Sequence, residues 1–331
     1  MSRAVALDLA GRALLAAGVY TFFAATDANY RGMNNLYPLL NGFALVGLVA
    51  LGLGVTMIAG ELDLSVGSLA AVAGIITVYL SGWGPVPSLA AAVAAGACFG
   101  AVQGTLIARL RINSLVFTIG TLIALRGLAF VIAHEHSVLV NLDDLSISDA
   151  ITRKLWIFSP FSLTTIAAFV LVGLLMAFSR RGRELYAVGG GRSEALAAGV
   201  SSVGPIVIAF TLSAALASLA GGLASLQSAA AQPGAFDSLL LGGVTAALVG
   251  GISLYGGRGT ILGIAIGVFT LRFLVSGIAS RGAPFYVESL ATGGLLLAVL
   301  VVELLTGRGM AFFKGRPEAP GTAQGSGTLS A

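Results

Sequence analysis

The sequence predicts an all-α, polytopic membrane protein of about ten transmembrane helices, with one or more helices broken or re-entrant. Three observations carry this. The 331-residue chain is 57% apolar and only 10% charged, with a mean hydropathy of +0.97. Apolar runs of about twenty residues recur along it, the length that crosses a hydrocarbon core of ~30 Å. The chain also holds 46 glycines, and small residues let helices approach closely in lipid. No polar stretch is long enough for a soluble domain. Residues 1–305 therefore read as a single transmembrane domain, and 306–331, rich in Gly, Pro, Ser and Thr, as a disordered cytoplasmic tail.

Ten apolar segments follow in order: 12–28, 39–59, 64–81, 86–108, 113–133, 161–178, 205–228, 239–255, 260–280 and 289–305. The stretch from Met1 to Ala28 is basic then apolar, as in a signal peptide, and is read here as a retained first span. The fifth segment is a candidate re-entrant half-span. Glycine and proline mark several joints, among them Gly82 to Pro87, Gly204-Pro205, Gly256 to Gly259 and Ala283-Pro284.

The basic residues set an orientation. With both termini cytoplasmic, the inside segments hold Arg3, Arg12, Arg109, Arg111, Arg180, Arg181, Arg183, Arg192, Arg258, Arg308, Lys314 and Arg316. The outside loops hold only Arg31, Arg153, Lys154 and Arg281. This obeys the positive-inside rule, and the reverse orientation breaks it. Trp83, Trp156, Phe285 and Tyr286 fall at outer ends, as an aromatic belt should. The longest outer loop, about 134–160, carries Glu135, Asp143, Asp144 and Asp149.

One polar break organises the rest. Gly60-Glu61-Leu62-Asp63-Leu64-Ser65-Val66-Gly67-Ser68 interrupts two apolar runs. A carboxylate at membrane depth is costly unless it is paired or faces water, and broken backbone there must be buried in protein or line a cavity. Glu61, Asp63, Ser65 and Ser68 are thus candidates for a translocation path or a polar hinge. The alternative is a turn at the membrane surface between two spans. Asn41, Gln103, Thr118, Thr121, Arg126 and Gln232 are further polar residues on or beside spans. Each is a candidate for the same path, with a helix-to-helix hydrogen bond as its alternative. Arg126 could pair with Asp63 or Glu61, or reach an interface.

The longest inside loop runs from Ser179 to Gly204 and contains a short predicted helix. Ser193 is its candidate N-cap, and Glu194 suits the positive end of the dipole. Ala195 to Ala198 favour helix, Gly199 suits the C-terminus, and Gly189 to Gly191 supply a flexible lead-in. Such a mildly apolar helix needs something to pack against, either a partner's groove or the protein's own surface.

Several classes are set aside. The net charge of +4 is spread over short loops, so no nucleic-acid partner is expected. Cys98 is the single cysteine, which removes disulfides and cysteine metal sites. His134 and His136 are separated by one residue and lack the spacing of a zinc helix. No nucleophile and base pair suggests an intramembrane enzyme. There is no Walker A loop, so ATP and Mg, if used, bind another subunit, and no cofactor is expected on this chain.

At this point the residues resemble a known family, the permease subunit of monosaccharide ABC importers of the ribose, xylose, arabinose and galactose type. The likeness covers about Leu36 to Leu305 in five blocks. The family's Gly-Gly-Ile-Asp-Leu-Ser-Val-Gly-Ser is similar to Gly60 through Ser68, with Glu61 and Leu62 as departures. Thr118-Ile119-Gly120-Thr121 through Arg126-Gly127, Gly182 through Gly191 and on to Val200, Ala231-Gln232-Pro233, and Gly250 through Gly259 resemble the other blocks. One acidic block is missing: where many members carry Tyr-Glu-Leu-Asp, this chain has Leu239-Leu240-Leu241-Gly242, and Asp237 stands nearby.

The resemblance implies a membrane permease that translocates a monosaccharide, a pentose or a related sugar, across the bacterial inner membrane. It implies three partners: an ABC ATPase subunit, a periplasmic sugar-binding protein and a second permease copy, in a homodimer or a paralogous heterodimer. The segment Gly190, Gly191, Arg192, Ser193, Glu194, Ala195, Ala198 and Gly199 would couple to the ATPase. Two rivals stay open: an ion-coupled secondary transporter using Glu61 and Asp63, and an amino-acid ABC permease.

Overall fold

The structure, a computed structural model, describes residues 3–28, 30–140 and 146–305. The expected disordered tail, Arg308, Lys314, Arg316, Asp143 and Asp144 lie outside the described residues. The order of elements is α1 (Arg3–Thr26), α2 (Met33–Ile58), α3 (Val66–Tyr79), α4 (Pro85–Leu110), α5 (Ser114–Ile132), β1 (Val138–Leu139), α6 (Ser146–Thr152) and α7 (Pro160–Phe178). Then come α8 (Arg180–Gly190), α9 (Arg192–Ala197), α10 (Val203–Gln227), β2 (Ala230–Ala231), α11 (Leu239–Val249), α12 (Ile261–Ser280) and α13 (Phe285–Leu305).

Every one of the ten apolar segments carries a helix. Among the described residues, eight helices are long and apolar enough to cross a membrane. The other two, α3 with 14 residues and α11 with 11, are apolar but short. At 1.5 Å per residue they reach only about 21 and 17 Å, less than a hydrocarbon core. The half-spans are therefore the third and eighth segments. The fifth, expected as the candidate half-span, is instead the continuous 19-residue helix α5. Its Gly120 and Gly127 sit in open space and do not interrupt it.

The core is built on α2 and α10, the most buried spans. α10 packs along α4, α3 and α2. The close approach to α4 depends on Gly96, Gly100 and Gly104, four residues apart on one face; a Cβ on any of them would meet Ser218, Phe210 or Val207 of α10. Helices α1 and α13 lie at the periphery against α12, with α13 also on α11, and α5 leans on α3.

The alternation of helix ends sorts the charges. At one end, Gly257 N–H donates to Ile58 O at 2.9 Å, and Arg12 donates to Val249 O at 2.6 Å. Arg109, Arg111, Arg180, Arg181, Arg183, Arg192 and Arg258 belong to helix ends and connections there, and Arg12, within α1, reaches the same level through Val249 O; we term this the basic end. At the opposite end β1 pairs antiparallel with β2, and Tyr79 Oη donates to Ile132 O at 2.9 Å. Exposed Trp83, Trp156, Phe285 and Tyr286 belong to that opposite end.

Candidate functional site

The site begins where α2 stops. Ala59 caps the helix, and Gly60 follows with φ +79, the left-handed conformation that glycine adopts without strain. The chain then runs without regular structure to Ser65 and re-enters as α3. Asp63 is fully buried in this break. Its Oδ1 accepts from Ser65 N–H at 3.1 Å, Ser65 Oγ at 2.5 Å and Gln103 Nε2 at 3.2 Å. Its Oδ2 accepts from Ser213 Oγ at 2.8 Å. One carboxylate thus ties the break to α4 and α10. Ser65 holds Asp63 instead of capping α3, which has no side-chain cap.

These partners also set the depth. Ser213 lies ten residues into α10 and Gln103 seven residues before the end of α4, which is about 15 and 10 Å from the basic end. Asp63 therefore sits inside the bundle and not in a surface turn. Among the described residues no arginine or lysine forms an ion pair with it. The nearby start of α5 belongs to the same network. Leu62 N–H donates to Ser114 Oγ at 3.3 Å, Thr118 Oγ donates to Leu62 O at 3.3 Å, and Thr121 Oγ donates to Thr118 O at 3.2 Å. Ser68 is buried in the first turn of α3.

Glu61, two residues earlier, takes a different partner. Its buried carboxylate forms an ion pair with the guanidinium of Arg192, the first residue of α9. Backbone contact joins the same elements: Gly189 of α8 packs on Ile58 O, and Gly257 N–H donates to that same oxygen. A side chain at Gly189 would collide with Ile58 O and come within 2.7 Å of Gly257 N.

The helix expected around 190–199 is present but starts earlier than its sequence suggests. α9 opens at Arg192 with Gly191 as an N-cap that makes no side-chain bond. Ser193 is inside the helix, and its Oγ donates to Glu194 at 2.9 Å. The N-cap assignment of Ser193 is corrected by this two-residue shift to Gly191. Gly189 and Gly190 are the last turn of α8 and not a flexible lead-in. Gly199, with φ +79, follows Ala198 at the helix end as expected. Ala195 is buried with Val188 of α8 and Ile206 and Phe210 of α10, whereas Leu196 is 65% exposed and Glu194 and Ala198 face outward. The preceding α8 buries Gly182, Leu185 and Val188 on one face. On its outer face the hydrogen bond from Arg181, with a further one from Arg180, holds Glu184 below the ordinary glutamate range.

The remaining candidates scatter. Asn41 accepts from Ser159 Oγ at 2.8 Å and ties α2 to the start of α7. Arg126 pairs with Asp237 at 2.7 Å, not with Glu61 or Asp63. The reason is axial: Arg126 lies twelve residues beyond Ser114, about 18 Å along α5, while the break sits at the Ser114 end. Gln232 is exposed and lines a cavity of about 530 Å³ at the opposite end with Ser225, Gln227 and Ser228. A larger cavity of about 1030 Å³ opens at the basic end between α1, the connection from Val249 to Thr260 and α13, and none of the sequence-predicted residues lines it. Ser213 and the partner roles of Asp237 and Arg192 were missed. Ser213 resembles any serine in an apolar span, whereas Asp237 stood out as an acidic residue beside the vacant acidic block. Among the described residues no group of three His, Cys, Asp or Glu could hold a metal.

Apolar spans, two half-length helices, a buried polar break and a short exposed helix at the basic end are the architecture of a polytopic membrane protein. The chain belongs to the permease family described as branched-chain amino acid transport system / permease component, whose profile it matches over residues 35–300. It is 30% identical over 292 residues to the L-arabinose ABC transporter permease protein of Azospirillum brasilense, covering 86% of this chain and 84% of that relative. It is 31% identical over 280 residues to the ribose import permease protein of Escherichia coli K12, covering 83% and 87%. The D-allose transport system permease protein of the same strain is 28% identical over 296 residues, covering 88% and 90%. No solved structure gives a significant match. The chain is a multi-pass inner-membrane permease subunit of an ABC importer, a transport component and not an enzyme.

Proposed function

We propose that this permease moves a monosaccharide, a pentose or a related sugar, into a bacterial cell. The family description speaks of amino acids, but the relatives compared above are named for arabinose, ribose and allose. That is the observation that carries the reading. Residues 1–305 form one permease domain, both termini are cytoplasmic, and the tail from 306 is a cytoplasmic extension. A second permease copy completes the pore. A sugar-binding protein delivers substrate at the end bearing β1 and β2, and an ABC ATPase docks at the basic end. The permease makes and breaks no covalent bond, and it carries no cofactor of its own. ATP and Mg are held by the ATPase.

Chemically, the chain provides positioning and solvation. α9 presents Arg192, Ser193, Glu194 and Leu196 outward for the ATPase, as does Ala198 at its C-terminal cap, with Ala195 rooted in the bundle. Neutral donors and acceptors suit a neutral polyol, because they replace its water hydrogen bonds without binding it as tightly as a charge would. Gln232, which is exposed, and the partly exposed Thr121 supply such groups, while the buried Thr118 holds the break. Glu61 and Asp63 are each occupied, one by Arg192 and the other by hydroxyl and amide donors. That favours ATP-driven transport over an ion-coupled route through these carboxylates. The test is reconstitution of the permease with its ATPase and binding protein in proteoliposomes, screened against pentoses, hexoses and branched-chain amino acids. ATP-dependent uptake of one sugar supports the reading, and uptake of an amino acid alone overturns it.

A further inference from the structure

Two elements far apart in sequence meet at Glu61 and Arg192. Glu61 is 5% exposed, so its carboxylate needs a cation, and Arg192 supplies one from the first residue of α9. The rest of α9 holds the bundle through one small side chain, Ala195, on Ile206 and Phe210. Its other described residues are exposed. Beyond Glu61 the chain reaches Asp63 within two residues, and Asp63 is locked to Gln103 of α4 and Ser213 of α10. Below it, Ile58 O is held by Gly257 N–H and covered by Gly189. The break is therefore clamped at both ends, and Glu61 is where α9 grips it by charge. Glu61 departs from the block that the sequence resembles, and Arg192 falls at a position which that pattern leaves open. The pair is thus a feature of this chain's own residues.

We propose that Glu61 is a positioning residue for energy coupling. Its ion pair with Arg192 transmits displacement of α9 to the α2–α3 break, and through Asp63 to α4 and α10. The inference rests on the proposed role of α9 as the ATPase contact. A connection made only through Ala195 would let α9 slide on its methyl group, because apolar contact is not directional. An ion pair whose carboxylate is buried resists displacement of its cation, because the attraction is weakly screened there.

The test measures sugar taken up per ATP hydrolysed, in proteoliposomes holding the permease, the ATPase and the liganded binding protein. Glu61→Gln keeps the shape and removes the charge. Arg192→Gln removes the partner and leaves the buried carboxylate uncompensated, so the double variant Glu61→Gln with Arg192→Gln, which leaves no unpaired charge, separates loss of the pair from loss of folding. Arg192→Lys restores the charge. We expect the uptake-to-hydrolysis ratio to fall about thirtyfold or more in both single Gln variants, the scale of one lost buried charge partner, and to recover by more than half in the Lys variant. A merely structural role would lower hydrolysis and uptake together and leave the ratio at the wild-type value, and that result overturns the inference. Wild-type vesicles without any ATP-driven uptake would overturn the function reading, and this inference with it. An unchanged ratio in Arg192→Gln beside a coupled wild type overturns this inference alone.

Discussion

Glu61 and Asp63 lie two residues apart in the same break, yet they are held in different ways. Asp63 is surrounded by neutral donors from Ser65, Gln103 and Ser213, and it joins three elements of the transmembrane core. Glu61 takes a single arginine from a six-residue helix at the basic end. The difference teaches that a carboxylate in an apolar chain can serve as a fixed bracket or as a handle. Donors on rigid spans make a bracket. A cation on a short helix with little other anchorage makes a handle. The sequence alone treats the two as equal candidates for an ion site, and their partners separate them.

The largest expected effect breaks the bracket. Asp63→Ala leaves the Ser65, Gln103 and Ser213 donors unpaired inside the bundle, which should cost about 3 kcal/mol or more, since each stranded buried group costs about 1–3 kcal/mol. Thermal unfolding in detergent should register this as a large drop, with Asp63→Asn falling between the variant and the wild type. Equal melting for Ala and wild type would mean that the hydrogen bonds around Asp63 do not hold the core.

Next comes the backbone contact beside the handle. Gly189→Ala drives a methyl into Ile58 O, while Gly190→Ala meets open space. The first should cut ATP-driven uptake by about tenfold, if ~1.4 kcal/mol of misplacement reaches the coupling step. The second should be neutral or slightly stabilising, because alanine is the better helix former. Uptake assays on the matched pair decide it. Similar behaviour of the two variants would remove the α8–α2 contact from the coupling route.

A smaller effect concerns the pair outside the break. Arg126 and Asp237 are each about half exposed, and exposed ion pairs contribute about 0.2–1 kcal/mol. Arg126→Gln should therefore shift the melting temperature far less than Asp63→Ala does. A loss as large as that of Asp63→Ala would make Arg126 part of the core bracket.

The smallest effect is a pH response on the outer face of α8. Glu184 is held below its ordinary value of 4.5 by Arg181 and Arg180. A lowered carboxylate contributes stability above that ordinary value and loses it as pH falls through the lowered one. Hydrogen exchange in α8 should be flat from pH 8 to pH 5 and quicken, relative to intrinsic rates, only in more acid buffer. Quickening near neutrality would mean that these pairs do not hold α8.

Much of the fold was legible, because hydropathy over about twenty residues reports burial in lipid directly. All ten segments contain helix, and the arginine-rich connections share one end. The site was legible in its residues more than in its connections. Glu61, Asp63, Gln103 and Arg192 stood out as polar groups in apolar or small-residue surroundings, but nothing local says that residue 61 meets residue 192. Of the two alternatives for Arg126, pairing with Glu61 or Asp63 is not formed, because its axial height on α5 places it beside Asp237 instead. The helix cap lies two residues before Ser193, since Gly191 rather than a hydroxyl side chain starts the turn. The half-span was placed in the wrong segment because α3 and α11 are shortened by packing of the break and of the segments flanking α11, while their composition matches that of full spans.

The most direct test of the central claim, that α9 at the basic end is the ATPase contact, is site-directed cross-linking. Cys98, the single cysteine, is replaced by serine, and one cysteine is introduced at Glu194 or at Leu139, both on exposed surface at opposite ends. In native membranes with both partners present, Glu194→Cys should cross-link to the ATPase, and Leu139→Cys should not. A cross-link from Leu139→Cys to the ATPase, with none from Glu194→Cys, would contradict the account and place α9 on the wrong side of the membrane.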